Sequence, residues 1–274
     1  MNIAFIGGCN MATALIAGLL RGGVAPSSIR VVEVASERLA ALKQQYGVEG
    51  SAAPDAQLHG TDAAVFAVKP QQMRAACTQC RPWLTQGFAL TIAAGIPSAS
   101  VASWSGQAQV VRAMPNTPAL IGAGITGMYA GAGLAPSARA LAERIMGAAG
   151  DVVWFEDETM LDAVTAVSGS GPAYAFFFIE ALQAAGQAMG MTAEQARRLS
   201  VATFRGASEL ARQSDEPIEV LRERVTSKGG TTAAALENMQ ASGLRDRFIE
   251  AVFAAQQRSV ELARSYGDAD ADAD

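Results

Sequence analysis

Over the first 160 residues, short apolar runs alternate with segments whose apolar positions recur every three to four residues. The runs at 3–6, 29–34, 63–68, 88–93, 109–113, 124–130 and 152–154 predict strands, because they are short and bounded by turn residues. Helical spacing fills several of the gaps, at 11–21, 36–46 and 136–149. Strand–helix alternation of this kind predicts an α/β fold, a mostly parallel sheet with helices on both faces. The direction of the last strands is left open by the pattern.

From about Glu158 the strand pattern stops. Pro172 suits a first helical turn after Ser168, Gly169, Ser170 and Gly171. The helix that follows, "PAYAFFFIEALQAAGQAMG", is apolar on nearly every side and is expected to be buried all round. Thr192 and Gln195 form a capping-box pattern for a helix to about 213, and further helices are expected at 217–226, 231–240 and 244–266. These patterns divide the chain into 1–160 and 161–266, with an acidic tail at 267–274 that lacks core-forming residues and is expected to be disordered. An all-helical half built around so apolar a helix points to an intertwined oligomer.

Half of the residues are hydrophobic, which is enough for a large core; a net charge of −5 without a Lys/Arg cluster makes nucleic acid an improbable partner. No apolar run approaches the roughly 20 residues of a membrane span. Three cysteines, an odd number without an export signal, predict reduced thiols in the cytoplasm. Cys77 and Cys80 form a C-x-x-C inside a predicted helix, with no second pair, so structural burial is expected rather than metal or redox chemistry.

The opening "MNIAFIGGCNMA" runs from a strand through a glycine turn into a helix. A dinucleotide fingerprint reads G-x-G-x-x-G/A, with its phosphates on the amides that open the helix. Gly7, Gly8, Cys9, Asn10, Met11 and Ala12 are the candidate binding residues; Gly7 and Ala12 fit, and Cys9 stands where the second glycine belongs. A cysteine there requires that the backbone avoid positive φ. Glu33, 26 residues beyond Gly7, could hold the ribose hydroxyls of NAD, whereas Ser36 and Arg38 could hold the extra phosphate of NADP.

Further motifs follow in order: "AVKPQQM" at 67–73, "TIAAGI" at 91–96, "VRAMPNTPALIGAGITGMYA" at 111–130, "SGSGPAYAF" at 168–176 and "TSKGGTTAAAL" at 226–236. In this order and spacing the chain resembles the pyrroline-5-carboxylate reductase family, over roughly residues 1–265. The resemblance implies an N-terminal Rossmann-type doubly wound sheet, an all-α dimerisation domain, and reduction of a cyclic imine with NADPH or NADH. It also implies a homodimer or an assembly of dimers. By position, Ala67, Val68, Lys69 and Pro70, with Ala94, Gly95 and Ile96, would line the coenzyme's path. Ser227, Gly229, Gly230, Thr231 and Thr232 would form the substrate loop, with Thr232 nearest the ring nitrogen, in a site completed by the other subunit. The chain departs from the family pattern at Cys9, at Pro54 and Asp55 where an asparagine is common, and at Lys228 where proline is common.

The loop also makes physical sense without the family. Two glycines directly before a helix let its free amides approach a small carboxylate closely. Proton-transfer groups are scarce: His59 is the only histidine and reads as a surface residue, while the lysines are Lys43, Lys69 and Lys228. Oxidising an alcohol needs a base such as His or Lys, and the helix after Pro172 has neither. A protonated imine is already electrophilic, so alignment and one hydrogen-bond donor suffice. Asn116 and Thr117 are open between a turn role and contact with the ligands.

Overall fold

The computed structural model describes residues 1–268. Eight strands form one sheet: β1 Ile3–Ile6, β2 Ile29–Val32, β3 Glu49–Ser51, β4 Ala63–Phe66, β5 Phe88–Thr91, β6 Val110–Met114, β7 Gly124–Ala130 and β8 Gly150–Phe155. Their order is β3-β2-β1-β4-β5-β6-β7-β8. Every pair is parallel except β6 with β7, which settles the direction the pattern left open. The strand order reverses between β1 and β4, whose registers run Ile3 beside Ala63 to Ile6 beside Phe66. Such a reversal opens a crevice at the carboxyl ends of the strands.

Both faces of the sheet are covered, so β1 is buried at all four positions. Ile3 and Phe5 pack into the core shared with helices α1 (Asn10–Arg21), α2 (Ser36–Tyr46) and, further along the chain, Pro136–Gly147. Ala4 and Ile6 point the other way, into a second core with α3 (Met73–Cys80) and α4 (Ser98–Ser105). The helix Pro136–Gly147 is α5, and a short α6 (Met160–Val164) runs into a π-helical turn at Thr165–Gly169.

Several expected strands end early: β2 stops at Val32 rather than 34, β4 at Phe66 rather than 68, and β5 at Thr91 rather than 93. Beyond each, one more amide still bonds the neighbouring strand before the chain turns away: Glu33 N to Ser51 O, Ala67 N to Ile6 O and Ile92 N to Phe66 O. The edge strand β3 carries no apolar run, so no periodicity marked it.

The chain forms two compact units, one of Met1–Ser170 together with the chain from Ala255 onward, the other Gly171–Ala254. The units part after Ser170, ten residues beyond the expected division at 160, and the short α6 packs on β6 and β7. The second unit contains α7 (Gly171–Ala188), α8 (Ala193–Arg212), α9 (Ile218–Arg224), α10 (Thr231–Ala241) and the start of α11 (Leu244–Asp268). The capping box is present: Gln195 N donates to Thr192 Oγ1 at 3.2 Å and Thr192 N to Gln195 Oε1 at 3.0 Å.

One expectation fails in the single chain. Helix α7 is not buried all round; only Gly186 is buried, and Phe176 and Phe177 are 67% and 66% exposed. One chain does not supply enough apolar surface to cover both sides of it. The expected disordered tail at 267–274 begins inside α11, and its residues 269–274 lie outside the described ones.

Candidate active site

At the strand-order reversal, β1 delivers its glycine turn against the end of β4. Gly7 has φ +97°, and a Cβ on it would lie 2.5 Å from Ala67 O. Only glycine fits both the conformation and the approach. Gly7 N donates to Val32 O at 2.8 Å and Ala67 N to Ile6 O at 2.8 Å, so the turn is pinned to both neighbouring strands. Gly8 is held from the α2 side: its amide donates to Glu33 Oε2 at 2.7 Å, and a Cβ would meet Leu42 Cδ1 at 2.8 Å.

Cys9 takes the N-cap position of α1 with φ −64° and ψ 170°. That extended backbone is open to any residue, so the cysteine enters the fingerprint without strain. Its side chain makes no cap, and the first turn of α1 contains no acidic residue. The amides of Asn10 and Met11 therefore open the helix with no side-chain partner of their own, which is what a pyrophosphate needs. Ala12 is fully buried against the sheet, the close packing its place in the fingerprint demands.

The remaining coenzyme candidates divide. Ser36 opens α2 with an exposed side chain, and Lys69 is exposed at the start of a 3-10 turn led by Pro70. Ala67 and Ile96 are 2% and 1% exposed, so their side chains belong to the cores and only their backbone is free to line a path. Gly95 lies against α11: a Cβ there would meet Tyr266 and Ala263 at 3.3 and 3.4 Å.

Sequence reasoning missed this return of α11 to the sheet unit. Tyr266 Oη accepts from Gln71 Nε2 at 2.9 Å, and Ser259 Oγ donates to Asp162 Oδ1 at 2.7 Å. Between them, Pro70, Ala94, Ser170, Arg258, Ser259 and Tyr266 line a cavity of about 270 Å³ beyond the ends of β4 and β5. An amphipathic stripe signals that a helix packs but not on what, so no sequence signal located this contact.

A second missed feature is a charge cluster under the same loops. Glu158 accepts from Ser98 N and Ser98 Oγ at 2.7 and 2.8 Å, and from Arg112 Nη1 at 2.7 Å. Burial raises the Glu158 carboxyl, but the hydrogen bonds from Arg112 and Ser98 outweigh it and hold the group below the usual glutamate value. Asn116 is also structural: its Oδ1 accepts from Ile125 N at 3.0 Å and its Nδ2 donates to Ser168 O at 3.2 Å. Thr117 is exposed at the start of a 3-10 turn.

In the helical unit, residues 227–230 close a tight turn in which Gly230 N donates to Ser227 O at 3.0 Å. Gly229 sits third, with φ +71°, as a type II turn requires. Lys228 takes the second position, which favours proline but accepts other residues, so the departure there leaves the turn intact. Gly230 caps α10 through backbone alone, and a Cβ on it would crowd Ser227 Oγ at 2.5 Å. Ser227, Thr231 and Thr232 are exposed around this uncapped helix start.

The other titratable candidates fall where expected. His59 is exposed and rests edge-on against Trp83 at 5.6 Å between centroids. Cys77 and Cys80 are fully buried in α3, and burial pushes both thiols up to about 12.

Comparison with known proteins gives this geometry a relationship. A family model described as pyrroline-5-carboxylate reductase dimerisation matches residues 158–262. A curated pyrroline-5-carboxylate reductase of Pseudomonas aeruginosa is 43% identical over 97% of this chain and 98% of its own length. The chain belongs to the pyrroline-5-carboxylate reductase family. Within that family, the structure of a Coxiella burnetii reductase superposes with TM-score 0.90 at 38% identity, covering 95% of this chain and 98% of that one. A Plasmodium falciparum reductase solved with NADP bound matches at TM-score 0.83 and 25% identity, covering 96% and 98%. The sheet unit separately matches a family model described as NADP oxidoreductase, coenzyme F420-dependent, over residues 2–95.

Proposed function

We propose that this chain reduces 1-pyrroline-5-carboxylate to L-proline by hydride transfer from NADPH or NADH, the last step of proline biosynthesis. The observation that carries this reading is the match at 43% identity over 97% of the chain, since it spans both glycine turns. Bound at the first turn, the reduced nicotinamide supplies the hydride. Everything else falls to the protein. Gly7, Gly8 and Cys9 bring the amides that open α1 to the pyrophosphate, and the backbone at 67–68 flanks them.

The amides at Gly229–Thr231 hold the substrate carboxylate, assisted by the positive end of α10. Thr232 donates a hydrogen bond to the ring nitrogen. No general base is needed, because the protonated imine is electrophilic at carbon; positioning alone contributes about 7–11 kcal/mol. The loop of one chain serves the coenzyme turn of a second, in a homodimer or an assembly of dimers. The exposed apolar face of α7 supports this, since a dimer interface would cover it; sedimentation that finds only monomer would remove it.

Among the described residues no helix is long and apolar enough to cross a membrane, and the three cysteines are free, which suits the cytoplasm. The function is tested with purified protein, reduced coenzyme and one of three additions: pyrroline-5-carboxylate, another cyclic imine, or none. Coenzyme oxidation with the first supports the reading. Oxidation only with another imine gives the chain a different substrate, and binding without turnover makes it a dinucleotide sensor.

A further inference from the structure

We propose that Tyr266 is a positioning residue for the nicotinamide half of the coenzyme, tying together the two loops that follow β4 and β5. The inference rests on the reading that residues 67–70 and 94–96 line the coenzyme, and adds what holds those loops in place.

A doubly wound sheet binds its dinucleotide with one half on each side of the strand-order reversal. Adenosine belongs on the β2 side, so the nicotinamide half crosses the ends of β4 and β5. The ladder between those strands closes with Ile92 N donating to Phe66 O at 3.2 Å. Past it, Tyr266 touches both loops. Its Oη accepts from Gln71 Nε2 at 2.9 Å, in the middle of the 3-10 turn Pro70–Gln72 that begins beside Lys69. Its ring meets the other loop at Gly95, where a Cβ would lie 3.3 Å from Tyr266 Cδ2 and 3.4 Å from the Ala263 backbone. Gly95 has φ +76°, so the turn of the loop and the closeness of α11 both exclude a side chain. Tyr266 and Val68 also pack on the same second core.

Helix α11 presents the ring from a fixed face. Ser259, Leu262, Ala263 and Tyr266 follow the i, i+3, i+4, i+7 spacing of one helical stripe. Ser259 is 6% exposed and anchors that stripe by donating to Asp162 Oδ1 at 2.7 Å. The bond from Gln71 to Tyr266 then spans 195 positions, so the far end of the chain sets the geometry of a loop near its start. Without that bond, affinity falls by the fraction of time the loops keep their binding-competent form. ADP carries adenosine and two phosphates only, so its affinity does not depend on that fraction.

The test is calorimetric binding of NADH, NADPH and ADP to the full chain, native and variant. Tyr266→Phe keeps the ring against Gly95 and removes the hydroxyl, while Gln71→Leu removes the donor. Each should weaken dinucleotide binding about fivefold, the equivalent of one hydrogen bond, and leave ADP within about twofold. The double variant should bind no more weakly than either single one, because both substitutions remove the same bond.

Unchanged dinucleotide affinity in Tyr266→Phe overturns the proposal, even where denaturant unfolding shows a less stable variant, since the residue would then be structural only. So does an equal loss for ADP, or losses that add in the double variant. If the native protein binds no dinucleotide, the reading of the coenzyme loops fails and the positioning with it. A fivefold loss in Tyr266→Phe from a native protein that reduces no imine would instead support the positioning and refute the reductase reading alone.

Discussion

Glu158 and Ser98, sixty positions apart, meet through two hydrogen bonds: the backbone amide and the hydroxyl of Ser98 both donate to the one carboxylate, at 2.7 and 2.8 Å. Arg112 of β6 completes the set from below at 2.7 Å. The cluster fixes the loop after "AAGI" to the segment that leads into α6.

Because the folded carboxyl lies below its ordinary value, this stabilisation is fully present above the unfolded glutamate value of about 4.3 and is lost as pH falls through the lowered one. Glu158→Gln should cost about 1.5–3 kcal/mol at neutral pH, since it leaves a nearly buried Arg112 without its charge partner. Denaturant unfolding should show the native and variant curves converging below about pH 4. A constant gap across that range would mean that the cluster does not titrate as described.

Two positions of the first turn should respond to very different degrees. Gly7→Ala forces a side chain into φ +97° and against Ala67 O, at a cost of about 2–4 kcal/mol and most of the coenzyme affinity. Cys9→Gly relieves nothing, because φ −64° is already ordinary. It should lower stability by about 0.5–1 kcal/mol through the unfolded chain and change coenzyme affinity by less than about threefold. A large gain in affinity for Cys9→Gly would show that the cysteine does obstruct the phosphates.

Thiol labelling separates the three free cysteines. Cys77 and Cys80 are fully buried and pushed up to about 12, so neither supplies thiolate at neutral pH. Cys9 is half-buried at the proposed coenzyme turn. Iodoacetamide should modify Cys9 alone in the folded protein, with bound coenzyme slowing the reaction, and all three after denaturation. Fast labelling of the C-x-x-C pair in the native state would contradict its structural role.

Thr232→Ala should lower turnover about 10²-fold while coenzyme affinity stays within about twofold. The split matters because Thr232 is exposed at the start of α10, where loss of its hydroxyl disturbs no packing. Native turnover in the variant, measured by steady-state kinetics, would take Thr232 out of the reaction.

Much of this architecture is written locally. Strands such as Ile3–Ile6 and the box of Thr192 with Gln195 depend on neighbours in sequence, so pattern alone located them. What escaped depends on distant partners. Nothing near Ser98 announces Glu158, and nothing in α11 says that Tyr266 comes back to Gln71. Gly95 was expected beside the coenzyme from the family resemblance alone, and no pattern near it announced that its missing side chain also makes room for α11. Asn116 was ambiguous for the converse reason: a buried amide serves a ligand or the backbone equally well until its partners, Ile125 and Ser168, are known. The apolar α7 was expected to be buried on every side and is not, because a periodicity carries no sign of which chain would cover the helix.

The most direct test of the central claim follows the hydride itself. The purified protein is given pyrroline-5-carboxylate and reduced coenzyme in which both C4 hydrogens of the nicotinamide are deuterium, and the product is analysed by mass spectrometry and NMR. The account predicts L-proline with a single deuterium on the carbon formerly double-bonded to nitrogen, one equivalent for each coenzyme oxidised. Unlabelled proline, or coenzyme that binds while no proline forms, would contradict it.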